Sequence, residues 1–187
     1  MRLLPAFGLS LFNGWLLLVA YFLGLTLSVL TFAREKRRKL FLKPSYPKGD
    51  RRGLVILLGR LAAISFVALM IFTPLRTGSL FLYVGLAIYL LGFSVVMVSL
   101  FEYRRAEVDR LVTHGIYRVS RNPQWIGLVL VFVGTAMAVA TWLQFALLAI
   151  VVMAYHFQIL LEEEICLRLY GEDYKAYTEE VPRYVGF

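Results

Sequence analysis

The sequence predicts an all-α integral membrane protein of five spans forming one domain over residues 1–187. Three observations predict it. The 187 residues are 60% hydrophobic and only 17% charged, against roughly 45–50% apolar and about 25% charged in soluble domains. Mean hydropathy is +0.72. Five nearly uncharged runs follow one another, at 9–33, 54–73, 79–101, 124–140 and 141–161, each near the roughly 20 residues that a span requires.

The first run begins at Leu9 after only Arg2, has no small-residue cleavage site, and exceeds a signal-peptide core, so it reads as a retained span. The second and third are bounded by the basic stretch 34–53 and by Arg76. The last two share an unbroken stretch, 124–161, with no Asp, Glu, Lys or Arg. As one helix it would measure about 57 Å, far beyond the roughly 30 Å hydrocarbon core. A tight hairpin near Ala140-Thr141 resolves the excess.

Lys and Arg are distributed unevenly: nine in 34–53, five in 102–123, three in 162–187, and only Arg2 and Arg76 in the opposite connections. The bias predicts a cytoplasmic C-terminus and an N-terminus outside. It also accounts for the net charge of +8 without nucleic acid, for which no groove-entering basic element is present. Arg34-Glu35-Lys36-Arg37-Arg38-Lys39 reads as a topology signal that also suits anionic headgroups. Arg60 lies inside the second span, where snorkelling or a structural ion pair competes with a ligand contact. The Pro/Gly-rich 43–53 reads as a surface linker. Cys166 is the single cysteine and reads as a small apolar helix residue. No metal ligands are expected, and oligomeric state is left open.

Two polar clusters flank the predicted hairpin. HGIYRVSRNPQWIG, 114–127, leads into the fourth span. His114-Gly115 suits a turn, and Asn122-Pro123 suits a helix N-cap followed by the first helical position. Capping leaves Tyr117, Arg118, Arg121, Gln124 and Trp125 unexplained. The second cluster, Glu162-Glu163-Glu164, follows the fifth span, where the helix dipole disfavours anions unless the helix continues. Continuation to Tyr170, ended by Gly171, supplies that exception. Since both clusters adjoin one hairpin, they must lie close together, in a half-buried site open to cytosol and to lipid.

The segment LVTHGIYRVSRNPQWIG resembles the signature Gly-[Ile/Pro]-Tyr-Arg-x-x-Arg-His-Pro-x-Tyr-x-Gly of isoprenylcysteine carboxyl methyltransferases and membrane phospholipid N-methyltransferases. EEEICLRLYGEDYKAYTEEVP resembles their second signature, Glu-Glu-x-x-Leu-x-x-x-Phe-Gly-x-x-Tyr-x-x-Tyr. Gly115, Tyr117, Arg118, Arg121 and Pro123 match the first, and Glu162, Glu163, Gly171, Tyr174 and Tyr177 the second. Asn122 replaces a frequent His, Trp125 a Tyr, and Cys166 a Leu.

The resemblance implies an enzyme that transfers a methyl group from S-adenosylmethionine to a lipidic or membrane-partitioning acceptor at the cytoplasmic face. It implies catalytic roles for Arg121 and Glu163, and cofactor binding by His114, Gly115, Tyr117, Arg118, Asn122, Pro123, Trp125, Glu162 and Glu163. Arg121 suits the donor's carboxylate, the glutamates its ammonium or ribose, and Tyr117 or Trp125 its sulfonium. Tyr174 and Tyr177 are expected to pack the tail over the site. Asn122 excludes proton removal at its position, since an amide is no base near neutrality. The acceptor stays open among carboxylate, amine and thiol. Two other readings stand beside this one: a sterol-reductase-like NADPH enzyme, suggested by Cys166 and Tyr170-Gly171, and a non-enzymatic membrane scaffold with a degenerate site.

Overall fold

The computed structural model describes residues 1–40, 51–108 and 110–186. Its regular elements are all helical: α1 Trp15–Leu30, α2 Arg34–Leu40, α3 Arg51–Phe72, α4 Leu80–Arg105, a 3-10 turn Gly115–Arg118, α5 Pro123–Val139, α6 Trp142–Tyr170 and α7 Glu172–Glu180. Among the described residues, three helices are long and apolar enough to cross a membrane, namely α4, α6 and α3 from Arg52. α1 and α5 are apolar but shorter, at 16 and 17 residues, about 24–26 Å of helix.

The first predicted span needs correction. Its helix starts at Trp15 rather than Leu9, and the residues before it cross the end of the bundle in irregular backbone. Several of their polar groups are satisfied by tertiary contacts. Asn13 Nδ2 donates to the carbonyls of Gly8 (2.6 Å) and Ile71 (2.7 Å), while the Gly14 N–H donates to Thr73 O and Leu75 N–H to Phe12 O. Leu3, Leu9, Leu11 and Phe12 are left exposed on this segment.

The expected corner is present. Ala140 takes the left-handed conformation (φ 52°, ψ 51°) and Thr141 is extended, separating α5 from α6. Trp125 near the start of α5 meets Tyr155 of α6, with ring centroids 4.6 Å apart, so the two helices run antiparallel. α6 continues past the acidic cluster to Tyr170, where Gly171 (φ +55°) ends it.

Backbone proximity fixes α4 against α5. Gly85 and Gly92 on α4 face Gly134 and Gly127 on α5; each pair is spaced seven residues, two helical turns, and so shares one face of its helix. These are two points of close approach rather than a stripe without side chains, since Tyr89 and Val131 lie between them: a Cβ at Gly92 would lie 2.6 Å from Gly127 O, and one at Gly85 would lie 2.6 Å from Gly134 O. Small residues permit this approach, in which dispersion between backbones replaces a hydrophobic driving force that lipid does not supply. α3 leans on α6 through Gly59 against Ala154. Phe66, Met70, Leu100, Val131 and Val151, all nearly inaccessible, form the centre of the core.

Within the basic run, Lys36 has a structural task. Its ammonium is buried and donates to the carbonyls of Tyr103, Arg104 and Ala106 at the end of α4, satisfying carbonyls that a helix terminus leaves orphaned. Most of the predicted 43–53 linker lies outside the described residues, and 51–53 already belong to α3. Arg60 is exposed on α3, on the outside of the bundle.

Candidate functional site

The connector between α4 and α5 is shaped by one glycine. Gly115 has φ +59°, and a Cβ there would fall 2.6 Å from the carboxyl carbon of Glu102; only glycine accepts both the backbone angle and the contact. Beside it, His114 Nε2 lies 3.1 Å from Glu102 Oε2. The following 3-10 turn buries Tyr117, whose hydroxyl accepts from Gln124 Nε2 (3.1 Å) and whose carbonyl accepts from Tyr177 O–H (2.6 Å).

The C-terminal tail then folds back over this connector. Arg121 N–H donates to Pro182 O (3.0 Å), and Ser120 Oγ donates to Arg183 O (2.7 Å) while accepting from the Asn122 N–H. Tyr174, Tyr177 and Val181 are buried against Leu111, Cys166 and Tyr170, placing the tail as the two tyrosines lead one to expect. Burial pushes the Tyr117 and Tyr174 phenols well above their usual range and Tyr177 to about 12. All three therefore remain neutral hydrogen-bonding groups near neutrality.

Two adjacent carboxylates on α6 have different partners. Glu162 accepts from Trp125 Nε1 (2.9 Å) and from Gln158 Nε2 (3.0 Å). Glu163 accepts from Asn122 Nδ2 (3.0 Å) on one oxygen and from Arg183 Nε (3.0 Å) and Nη2 (2.8 Å) on the other. Arg121 Nε stands 3.6 Å from Glu163, buried and without a hydrogen-bond partner. Glu164 points away and pairs with Arg52 of α3. The capping reading of Asn122 is corrected here. Asn122 does occupy the N-cap position with Pro123 next, but its side chain makes no cap; its Nδ2 donates across the site to Glu163 instead, and this charge-assisted bond fixes the side chain's orientation.

These groups enclose a cleft of about 240 Å³. Of the residues singled out in the sequence, Tyr117, Arg121, Asn122, Pro123, Trp125, Glu162 and Glu163 line it. His114, Gly115 and Arg118 do not; the first two shape the connector and Arg118 is exposed. Tyr103, Arg110, Leu111, Val112, Cys166 and Tyr170 join the lining without having been assigned a part in it. Tyr103 lies in the last turn of α4 and Tyr170 ends α6, each beside a motif, a position that sequence alone displays. Arg183, the bidentate partner of Glu163, gives no such signal. Behind the Arg121–Glu163 pair a second cavity of about 490 Å³ opens between Leu160, Leu167 and the tail.

The lining suits S-adenosylmethionine. An orphaned, buried guanidinium N–H at Arg121 offers a place for a carboxylate, Glu162 an acceptor for an ammonium or a ribose diol, and Trp125 with the tyrosines aromatic faces for a cation.

Residues 84–173 match the family model described as phospholipid methyltransferase. The matched phospholipid methyltransferase region runs from α4 through the connector, α5 and α6 to the start of α7, and so holds most of the cleft. Protein-S-isoprenylcysteine O-methyltransferase B of Arabidopsis thaliana is 32% identical over 89 residues, 47% of this chain and 45% of that relative. The aligned part is thus less than half of the relative's length. Together the two matches support a membrane methyltransferase.

Proposed function

We propose that this chain transfers a methyl group from S-adenosylmethionine to a lipidic or membrane-partitioning acceptor, at the cytoplasmic face, with the N-terminus on the opposite side. The observation that carries the proposal is the cleft between α5, α6 and the tail. It combines an arginine whose buried Nε has no hydrogen-bond partner among the described residues, two positioned carboxylates and an aromatic wall, and lies at the end of the bundle reached by the basic connections.

The donor supplies a methyl group already activated on a positively charged sulfur. An acceptor's lone pair forms the new bond while the C–S pair stays on sulfur, so the protein's task is alignment at about 3–3.5 Å. Arg121 holds the donor's carboxylate and Glu162 its ammonium or ribose. Glu163 positions Arg121, Arg183 and Asn122 around one shared charge. The second cavity is lined by Arg121, Glu163, Glu164, Lys175 and Arg183 as well as by Leu160 and the exposed Leu167, a lining that suits the polar end of an acceptor whose apolar part meets the leucines.

Calorimetric titration of the detergent-purified chain with S-adenosylhomocysteine and with NADPH tests the donor. Saturable binding of the first and none of the second is expected; the reverse overturns the proposal in favour of a reductase. Reporter fusions at residues 45, 78 and 187 test orientation, with 45 and 187 on one side and 78 on the other. Mass spectrometry of membranes incubated with labelled donor and the protein identifies the acceptor.

A further inference from the structure

A second polar pocket, of about 230 Å³, lies at the opposite end of the bundle from the methyltransferase cleft. Arg2 and Arg76, the only basic residues of the connections at this end, both line it. Backbone pairing to the α5–α6 corner holds both in place. The Arg2 N–H donates to Ala140 O and its carbonyl accepts from the Trp142 N–H, while the Arg76 N–H donates to Ala138 O. Arg76 also sits over the Phe81 ring at 5.5 Å. Neither arginine makes an ion pair among the described residues, and no acidic residue lines the pocket.

A second observation points to a ligand. Thr141 lines the pocket, is 2% exposed, and its hydroxyl has no partner. Five buried side-chain atoms lack a hydrogen-bond partner among the described residues. One is Arg121 Nε in the cleft; the other four, on Asn13, Thr141 and Gln144, belong to this end of the bundle. Buried polar groups without partners are costly in a protein and more so beside hydrocarbon.

We propose that Arg2, Arg76 and Thr141 bind the phosphate of a bilayer phospholipid. Two guanidinium forks and a hydroxyl donor match a tetrahedral oxyanion, which a lone ammonium would hold less specifically. The bilayer as source follows from position. The pocket lies where α3 ends at Phe72 and α4 and α6 begin at Leu80 and Trp142, among exposed Phe7, Phe12 and Trp142, the aromatic surroundings of a membrane–water interface. The site lies outside the methyl-transfer machinery and anchors the bundle in the leaflet opposite the cleft.

The test uses the full chain in nanodiscs containing phosphatidylglycerol with a photoreactive headgroup, and adducts are mapped by peptide mass spectrometry. Adducts in 1–6 and 73–77 are expected. Arg2→Gln with Arg76→Gln should lower them roughly tenfold, the ratio that loss of one charge-assisted hydrogen bond gives. Labelling in the 34–53 connection provides the internal reference. Failure of the unaltered chain to label 1–6 or 73–77 overturns the site whether or not the variant folds. Equal labelling by photoreactive diacylglycerol, which lacks the phosphate, also overturns it. Abolition of the adducts by excess inorganic phosphate overturns the bilayer source, whereas their persistence supports it.

Discussion

The N-terminal helices and the family-matched region are both apolar and helical, yet they are held together by different means. α4 and α5 touch backbone to backbone along Gly85, Gly92, Gly127 and Gly134. α1 is packed by large side chains, with Tyr21 and Phe93 edge to face and the Tyr89 hydroxyl reaching the Leu17 carbonyl at 2.8 Å. Among the described residues, none before Tyr103 lines the cleft. The division teaches that the site's geometry rests on contacts with no slack, because a backbone cannot change rotamer. α1 forms a wall whose side chains can readjust, while α3 approaches α6 closely at Gly59 and Ala154.

The largest effect that sharpens this contrast is a single methyl group. Gly134→Ala presses a Cβ against the Tyr89 N–H and the Gly85 carbonyl, and is expected to destabilise by about 3 kcal/mol, the upper range for overpacking. The same change at Gly53 of α3 meets nothing within 4 Å and is expected to be neutral or to stabilise by about 0.5–1 kcal/mol through helix propensity. Unfolding of the two variants in mixed micelles measures the difference. Equal stabilities would erase the distinction between the helix pairs.

Next comes the charge network. Glu163→Gln should weaken S-adenosylhomocysteine binding by about 1.5–3 kcal/mol, as expected for a charge-assisted hydrogen bond. Arg183→Ala should weaken it in the same direction, and the double variant should lose less than the sum. Titration that returns parental affinity for Glu163→Gln would leave this carboxylate with a folding role alone.

Asn122 separates two accounts of one position. Asn122→Asp would serve as well as Asn if the side chain capped α5, but it brings a second carboxylate against Glu163. A loss of about 1 kcal/mol or more is expected, with Asn122→His tolerated for donor binding. An Asn122→Asp variant as stable as the parent would restore the capping account.

The smallest effect belongs where the two regions meet at the surface. Glu164→Gln removes a half-exposed pair with Arg52. It is expected to change stability by less than about 1 kcal/mol and donor affinity not at all. A fall in affinity matching that of Glu163→Gln would extend the site to a residue outside the cleft.

What could be read beforehand follows the range of each interaction. The corner at Ala140 was legible because an uncharged run of excessive length must turn, and Gly171 because it stops a continuing helix. The start of α1 was not, since an apolar residue in a span and one in an irregular segment across the bundle end look alike in sequence. Asn13, the residue that makes the difference, acts through the distant Ile71 carbonyl. Asn122 read as a cap, whereas Tyr117, Arg121 and Trp125 announced themselves by crowding beside a span. Arg183 did not: its partnership with Glu163 exists only because the tail folds back, and one arginine near a chain end has no local pattern. The glycine pairs on α4 and α5 were not read from the sequence, because only the fold shows that they face each other.

One consequence of the glycine contact concerns the chain between the helices. By drawing the end of α4 and the start of α5 together, it closes residues 106–122 into a ring before any ligand arrives. Closing a segment of that length costs roughly 2.5 kcal/mol beyond a constant term, and folding the bundle meets this cost. The tail closes the ring a second time through Tyr177 and Pro182. Under the proposed function, a donor molecule entering the cleft would meet a connector whose ends are already joined, and less of its binding free energy would go to ordering that segment.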